Sequence, residues 1–312
     1  MRLVKATYQN STTGVRTAVG RTEQFAIKVG LHQGSALSPL LFIVVLDVIS
    51  EEFRRGLPWE LLFADDLAVA TNSEEELQRR WLSWQIQMEN KGLKVNTEKT
   101  EVMVCSKTER EANIVDKQGT QLKQVETFKY LGVTISAKGD SEEAVRARVR
   151  AAWMRWREIS GVICDKKMPR KLKVRLYKTV IRPIILYGAE TWTMNKKEEK
   201  ILETTEMRML RRIRGVTRTD RMRNQDLRNE LGISNIKDKV REKRLGWYGH
   251  VQRMEEDNQV KKIVKMEVAG KRPRGRPRAR WMDRVQRDMQ DLRIAPEDAL
   301  DRDFWKKRIS DR

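Results

Sequence analysis

The stretch WELLFADDLAVA, residues 59–70, decides the fold of the first part of the chain. Two short apolar runs, Trp59–Phe63 and Leu67–Ala70, flank a pair of carboxylates, Asp65 and Asp66. Apolar runs of this length on either side of turn residues predict the two strands of a β-hairpin. The hairpin would carry both carboxylates to one edge of a sheet.

Two adjacent carboxylates repel each other when both are ionised, unless a cation lies between them. Carboxylate oxygens favour hard cations such as Mg²⁺ or Mn²⁺, and such sites align phosphoryl groups for in-line displacement. An Asp-Asp pair is also common in an ordinary turn. The dipeptide alone does not separate a metal site from a plain turn.

The segments around the hairpin predict a mixed α+β region. Thr13–Val19 and Gln24–Val29 alternate in polarity and predict a hairpin that turns at Gly20-Arg21. Pro39 suits the first turn of a buried apolar helix over Leu40–Phe53. A capping box of Ser73 and Glu76 predicts a helix that runs to about Lys91. Further short strands are predicted over Val102–Cys105, Ile114–Asp116 and Lys129–Ile135.

The second part is predicted to be mostly helical, with no internal repeat. The predicted helices cover Ser141–Ser160, Arg170–Tyr187, Lys196–Arg214, Asn224–Leu231, Lys237–Arg253, Ala279–Leu292 and Pro296–Ile309. Residues 270–278 are rich in Pro, Gly and Arg and predict a linker.

Three motifs accompany the Asp pair in a fixed order. HQGSALSPLLF at residues 32–42 precedes it, and GLKVNTEKT at 92–100 and YLG at 130–132 follow. In this order and spacing, the four segments resemble motifs B, C, D and E of the reverse transcriptases of non-LTR retrotransposons, and within that family the RTE-like group. The similarity continues through LYGAETW at 186–192, residues 207–215 and LGWYGHV at 245–251, so it covers nearly the whole chain.

This resemblance implies an RNA-directed DNA polymerase that transfers nucleotides from dNTPs to a primer 3′-hydroxyl on an RNA template. It implies an α+β fold. Residues 1–140 would form a partial polymerase palm, an antiparallel sheet with helices on one face. Residues 141–190 would form thumb-like helices, and residues 191–312 a basic helical extension.

The resemblance also implies roles for matched residues. Asp65 and Asp66 would hold the catalytic Mg²⁺ or Mn²⁺ of a two-metal mechanism. Lys99 would lie near the triphosphate, in a turn shaped by Asn96 and Thr100. The loop beside the template and the incoming nucleotide would be Gln33, Gly34 and Ser35. The residues of the primer grip would be Tyr130, Leu131 and Gly132.

One feature departs from the family pattern. Two-metal polymerisation uses a third carboxylate, from motif A upstream of motif B, and the only acid before His32 is Glu23. We therefore expect an N-terminally truncated reverse transcriptase that lacks motif A and the fingers and is inactive as this isolated chain. The alternative is a non-catalytic nucleic-acid-binding protein derived from a retrotransposon.

The positive charge is concentrated in the second part. Residues 1–140 hold 18 Lys and Arg against 18 Asp and Glu, whereas residues 141–312 hold 47 against 26. The net charge of +21 therefore lies entirely after residue 140 and favours a polyanionic partner, foremost nucleic acid. A membrane surface, or a solvated basic surface without a partner, would give the same charge.

The helix over Ser141–Ser160 carries arginines at 146, 148, 150, 155 and 157. Of these, we expect Arg146, Arg150 and Arg157 to contact duplex phosphates, as a polymerase thumb does. The alternative is a core helix with a solvated face.

The linker contains KRPRGRPR at residues 271–278, which resembles an AT-hook. Glycine allows a strand to enter a narrow A·T minor groove along with its arginines. The residues expected there are Arg272, Arg274, Arg276 and Arg278. The segment could equally be a nuclear import signal or a flexible basic linker.

Several classes of protein are excluded by the composition. The chain has no run of 18 apolar residues, and residues 1–10 lack the apolar core of a secretory signal. Two Cys and two His supply neither a disulfide framework nor a zinc finger. We expect a protein of the nucleus, otherwise of the cytoplasm, that is not secreted and has no membrane partner.

Overall fold

The computed structural model describes residues 2–27, 30–32, 34–51, 60–106, 110–266 and 279–310. The chain divides into two compact units, Met1–Val95 and Asn96–Arg312. The described residues of the first unit form short strands and three helices, and those of the second are mainly helical. The predicted mixed α+β class is confirmed, and the described strands pair two by two.

The first unit opens with helix α1 (Arg2–Tyr8), which the sequence did not predict. Two nested hairpins follow, with β1 (Thr12–Thr13) paired to β4 (Phe25–Ala26), and β2 (Arg16–Thr17) to β3 (Gly20–Arg21). A hairpin was predicted here, but its turn lies at Ala18-Val19 and not at Gly20-Arg21. The Thr17 hydroxyl fixes this turn, since it accepts from the Val19 N–H and donates to the Gly20 carbonyl.

Helix α2 (Ser38–Ser50) begins with Pro39 in its first turn, as predicted. The prediction that it is buried is wrong for most of its length. Of its side chains only Leu46 and Ser50 are buried, because helix α3 (Glu74–Asn90) is its main packing neighbour and covers one side. The large apolar side chains left exposed are Leu40, Ile43, Val44, Val45 and Val48.

Helix α3 begins as predicted at Ser73, whose side chain accepts a hydrogen bond from the Glu76 N–H. Trp81 and Trp84 are buried on one face of this helix. Gly92, with φ of +85°, follows its C-terminal end. The hairpin of β5 (Glu60–Phe63) and β6 (Asp66–Val69) precedes it.

The second unit opens with a 3-10 turn over Thr97–Lys99 and a parallel pair of β7 (Glu101–Val102) and β8 (Lys123–Gln124). Next comes the antiparallel hairpin of β9 (Thr127–Tyr130) and β10 (Val133–Ser136). The prediction of one strand over Lys129–Ile135 is therefore wrong. The chain reverses at Leu131-Gly132, where both residues have positive φ.

The helices of the second unit match the predicted ones closely and include short ones that were not predicted. In chain order they are α4 (Glu142–Glu158), α5 (Ser160–Ile163), α6 (Arg170–Leu176), α7 (Arg182–Ile185), α8 (Lys196–Arg214), α9 (Asn224–Leu231), α10 (Ile236–Gln252), α11 (Gln259–Lys265), α12 (Trp281–Leu292) and α13 (Arg302–Ser310). A single π-helical turn, Tyr177–Ile181, joins α6 to α7. Helices α4 and α6–α10 enclose the main apolar core, and α10, α12 and α13 enclose a second. Within the described ranges, no helix combines the length and the apolar composition needed to cross a membrane.

A buried carboxylate lies at the centre of the main core. Glu206 is fully buried and accepts hydrogen bonds from the Tyr177 hydroxyl at 2.9 Å, the Arg182 guanidinium at 2.9 Å and the Ile236 N–H at 3.2 Å. Burial and the Glu206 charge raise the pKa of Tyr177. This network joins the π-helical turn to α7, α8 and α10, and replacing one partner would leave a buried group unsatisfied.

Candidate functional site

The β5–β6 hairpin carries the predicted Asp pair at its tip. Phe63 pairs with Asp66, so Ala64 and Asp65 are the two central turn residues. Ala64 has φ of +52°, a conformation that hairpin turns usually assign to Gly or Asn and that costs a non-glycine residue about 1 kcal/mol or more. Asp65 and Asp66 are both exposed. The turn thus presents two adjacent carboxylates to solvent on a constrained backbone.

A buried carboxylate at the base of this hairpin anchors the hairpin to α3. Glu60, buried at the start of β5, accepts a hydrogen bond from the Trp84 indole at 3.4 Å and lies 4.0 Å from the Arg80 guanidinium. Arg80 also binds Glu76 at 2.6 Å. The side chains of Arg79 and Arg80 hold the pKa of Glu76 at about 2. The hairpin that carries the Asp pair is therefore tied at its base to the capped helix α3.

The carboxylates fit a hard cation. Mg²⁺ is commonly bound by one or two carboxylates, with water and substrate phosphates completing its octahedral coordination. Asp65 and Asp66 present carboxylate oxygens on the exposed tip of the hairpin. Across the described ranges, no cluster of three or more His, Cys, Asp or Glu could hold a metal ion. Any further ligand at this tip would come from water, a substrate phosphate or another segment.

The loop before α2 contains the residues expected beside the template. Gln33 lies outside the described residues, and Gly34 has φ of +82°. The Ser35 N–H and the Ser38 hydroxyl both donate to the carbonyl of His32, at 3.2 and 2.6 Å. The His32 ring stacks on Tyr8 of α1 at 4.5 Å. Because α1 was not predicted, the sequence did not reveal Tyr8 as a support of this loop.

Lys99 lies at the end of the 3-10 turn and is exposed. The Asn96 side chain accepts from the Lys99 N–H at 3.1 Å, and the Thr100 hydroxyl donates to the Asn96 carbonyl at 2.8 Å. Asn96 and Thr100 therefore shape this turn as expected. Lys99 belongs to the second unit and the Asp pair to the first.

The primer-grip candidates form the tip of the β9–β10 hairpin. Leu131 and Gly132 are the two turn residues, with φ of +47° and +78°, and Tyr130 pairs with Val133. Leucine is costly in this conformation, and the structure supplies an external support. The Tyr187 hydroxyl donates to the Leu131 carbonyl at 2.8 Å.

The motif LYGAETW explains how that support is positioned. Leu186 and Ala189 are buried, which fixes the chain after α7, while Tyr187 is 48% exposed. Gly188 has φ of +74°, and a side chain there would meet Val133 of β10 at 3.0 Å. The sequence singled out this motif but gave no signal that Tyr187 reaches a turn 56 residues earlier.

The arginines of α4 differ in their partners. Arg146 binds Glu142 at 2.7 Å, and Arg150 lies 3.9 Å from Glu143. Arg157 is exposed, and the described part of the chain gives it no carboxylate partner. Arg148, which was not among the expected contacts, lies with its guanidinium 4.5 Å from the centre of the Tyr187 ring. The four linker arginines, at 272, 274, 276 and 278, fall in a segment that the structure does not describe.

The motif LGWYGHV on α10 has a packing role. The Trp305 indole donates to the Leu245 carbonyl at 2.9 Å, and a Cβ on Gly249 would lie 2.4 Å from its Nε1. Arg244, just before the motif, donates to the Trp192 carbonyl and pairs with Asp288 of α12. Both glycines of the motif lie on α10, which contributes side chains to both cores, and of the two only Gly249 has no room for a side chain.

Comparison with known proteins finds a family that is similar to the part of the chain that carries these features. Residues 3–135 match the family described as reverse transcriptase (RNA-dependent DNA polymerase). This match contains the Asp pair, the loop before α2, Lys99 and the tip of the β9–β10 hairpin.

Relatives extend the similarity beyond that segment. A transposon-derived protein of Caenorhabditis elegans is 28% identical over 237 residues, which are 73% of this chain and 84% of that protein. The RNA-directed DNA polymerase from mobile element jockey of Drosophila melanogaster is 24% identical over 263 residues, 76% of this chain and 27% of the polymerase. The Pol polyprotein from type-1 retrotransposable element R2 of Popillia japonica is 26% identical over 211 residues, 61% of this chain and 32% of the polyprotein.

The chain thus spans most of the worm protein but less than a third of the jockey polymerase and the R2 polyprotein. The exposed Asp pair on an anchored hairpin lies within the segment that matches the family model. Residues 3–135 are therefore similar to the reverse transcriptase family, and the chain is similar over a longer stretch to proteins named as RNA-directed DNA polymerases of mobile elements.

Proposed function

We propose that the chain is the palm and thumb part of an RNA-directed DNA polymerase of a retrotransposon, of the RTE-like group. It would add nucleotides from dNTPs to the 3′-hydroxyl of a DNA primer on an RNA template. The observation that carries this proposal is the tip of the β5–β6 hairpin, where Asp65 and Asp66 are adjacent, exposed and anchored through Glu60.

In the proposed mechanism, Asp65 and Asp66 hold Mg²⁺ or Mn²⁺ through their carboxylate oxygens. When bound, such ions polarise the phosphoryl oxygens and stabilise the attacking and leaving oxygens of an in-line displacement. Lys99 lies near the triphosphate and balances the charge of the leaving pyrophosphate. The loop of Gln33, Gly34 and Ser35 contacts the template and the incoming nucleotide, and the tip of the β9–β10 hairpin positions the primer.

We further propose that a polypeptide of these 312 residues does not polymerise DNA by itself. The family pattern that the chain resembles uses a third carboxylate from a separate segment, and the only acid before Asp47 is Glu23. Glu23 lies exposed beside β3, with no second acid near it in sequence. The chain would then need that carboxylate from elsewhere.

A second candidate is a non-catalytic nucleic-acid-binding protein derived from a retrotransposon. The charge distribution favours it. The unit Asn96–Arg312 carries the whole net charge of +21, since residues 1–95 hold 11 basic and 11 acidic residues. The two candidates share the binding surface and differ in whether the Asp pair holds metal.

Binding of Mn²⁺ tests the metal site separately from polymerisation. Relaxation of water protons would be measured on the full chain with a primer–template and a dNTP. We expect bound Mn²⁺ in the wild type, loss of that binding in Asp65→Asn and Asp66→Asn, and no change in the exposed control Glu75→Gln. Equal Mn²⁺ binding by all four proteins would overturn the polymerase proposal and favour the second candidate.

We also propose that Arg272, Arg274, Arg276 and Arg278 bind A·T-rich duplex DNA and direct the protein to the nucleus. The Pro-Arg-Gly-Arg-Pro sequence supports this proposal. Competition between A·T-rich and G·C-rich duplexes would test it. Replacing Arg274 and Arg276 by Ala should abolish the preference and leave most salt-dependent binding. A wild type without preference would reduce the segment to a linker or an import signal, which a fluorescent fusion would then distinguish by its location.

A further inference from the structure

The tip of the β9–β10 hairpin, Tyr187 and Arg148 form one solvent-facing cluster in the second unit. Tyr187 donates to the Leu131 carbonyl at 2.8 Å, and its ring lies beside Gly132, where a Cβ would be 3.6 Å from the ring carbon Cε1. The Arg148 Nη2 would be 3.6 Å from the same Cβ. Leu131 and Tyr187 are 39% and 48% exposed, so the cluster is open to a ligand.

Arg148 differs from Arg146, Arg150 and Arg155 on α4, which each lie within 4.0 Å of a glutamate carboxylate. Its positions three and four residues away on either side are Ala144, Val145, Ala151 and Ala152, so the helix offers no carboxylate at ion-pair spacing. Within the described ranges, no carboxylate lies within 4.0 Å of its guanidinium, whereas five other basic residues of α4, α8 and α12 are paired. Those pairs join Arg146 and Lys197 to Glu142, Arg150 to Glu143, Arg155 to Glu158, and Arg284 to Glu199.

The Tyr187 ring orients this guanidinium without cancelling its charge. A cation–π contact leaves the N–H groups at the edge of the guanidinium plane free to donate. Because the plane is held over the ring at 4.5 Å, those donors are fixed beside Gly132, where the absence of a side chain leaves the backbone accessible. The oriented N–H groups of Arg148, next to the accessible backbone of Gly132, can donate to a phosphate oxygen.

We propose that Arg148, held over Tyr187, binds a backbone phosphate of nucleic acid at the tip of the β9–β10 hairpin. This inference rests on the proposed function, because the hairpin tip is the predicted primer grip. It assigns the phosphate contact to a residue outside the set that the sequence favoured. Arg146 and Arg150 are engaged by Glu142 and Glu143, and Arg148 is the arginine of α4 that lies at the tip.

The test uses the full chain and a fluorescein-labelled duplex DNA with a recessed 3′ end. Anisotropy titrations from about 50 to about 200 mM salt give the dissociation constant and its salt slope. We expect Arg148→Ala to weaken binding about three- to tenfold and to reduce the slope by about 0.9, the value for one phosphate contact. The matched control Arg155→Ala removes the same charge from the same helix at an arginine already bound to Glu158, and should keep the wild-type slope.

Changes at Tyr187 test the orientation of the guanidinium. Tyr187→Leu removes the ring and should reproduce part of the Arg148→Ala loss. Tyr187→Phe keeps the ring but loses the hydrogen bond to the Leu131 carbonyl, and it should weaken binding less than Tyr187→Leu. Circular dichroism would establish that each variant is folded. Wild-type binding with an unchanged slope in Arg148→Ala would overturn this inference alone. A wild type that binds no duplex at all would instead overturn the proposed function, and this inference with it.

Discussion

Glu60 accepts a hydrogen bond from the Trp84 indole at 3.4 Å, which ties the base of the β5–β6 hairpin to helix α3. Both side chains are buried, so each satisfies a polar group that water cannot reach. The catalytic candidates at the other end of the hairpin depend on this contact for their placement.

Glu60→Ala should destabilise the first unit by about 1–3 kcal/mol, because it removes a buried acceptor of the Trp84 N–H and one of the carboxylates beside the Arg80 guanidinium. Urea denaturation followed by circular dichroism would measure the loss. Glu75→Ala, in the exposed first turn of α3, removes the same charge and should cost less than about 1 kcal/mol. Equal losses of unfolding free energy in the two variants would contradict a specific stabilising role of the Glu60 contact.

Gly249→Ala should destabilise the second core by about 1–3 kcal/mol or more, because its Cβ would lie 2.4 Å from the Trp305 Nε1. Gly246 on the same helix is the matched control. A Cβ there meets only the Ile309 Cδ1, at 3.9 Å, so Gly246→Ala should stabilise α10 by about 0.5–1 kcal/mol through its helix propensity. Thermal unfolding of both variants gives the comparison, and a tolerated Gly249→Ala would contradict the packing described.

Glu142→Gln should lower the unfolding midpoint at pH 7 and have little effect at strongly acidic pH. Hydrogen bonds from Lys197 and Arg146 hold the pKa of Glu142 below its ordinary value of 4.5. A lowered pKa stabilises the fold above the unfolded-state value, and this stabilisation is lost as the pH falls through the folded-state value. Thermal midpoints of wild type and variant should therefore converge below about pH 4.5. A constant difference across the pH range would assign the effect to something other than this charge.

The unit Asn96–Arg312 should bind nucleic acid without residues 1–95, because it carries the whole positive charge. Affinity should fall tenfold or more from about 50 to about 200 mM salt, since phosphate contacts release counterions. Anisotropy titrations of residues 96–312, with residues 1–95 as the control, measure this. Binding confined to residues 1–95 would contradict the charge argument.

A polypeptide of these 312 residues should show no primer extension with Mg²⁺, dNTPs and an RNA template, because a third carboxylate is needed. Gel-based extension assays with a viral reverse transcriptase as the positive control would check this. Extension that disappears in Asp65→Asn would show that another acid completes the site.

Local signals in the sequence predicted much of the fold. Helix α3 was placed to within a residue or two because Ser73 caps one end and Gly92 follows the other. The hairpin at residues 59–70 was predicted because its apolar runs and turn residues are neighbours in the chain. Such signals act over a few residues and therefore appear in a single sequence.

Long-range packing was not predictable in this way. The contact of Tyr187 with Leu131 spans 56 residues, and it lies at the turn where one predicted strand is in fact a hairpin. The sequence shows that Arg148 has no carboxylate three or four positions away, but it does not show that the ring of Tyr187, 39 residues later, lies beside the Arg148 guanidinium. The short helix α1, and with it the support of His32 by Tyr8, was missed because seven residues give too little periodicity.

The apolar side chains that α2 exposes have a consequence for handling the protein. A patch containing Leu40, Ile43, Val44 and Val48 is unusual on the surface of a monomer and favours association between molecules. The like charge of the second unit opposes such association at low ionic strength and is screened when salt is added. Light scattering should therefore show particle size rising with salt concentration, so that the conditions which release nucleic acid are the same ones which bring the chains together.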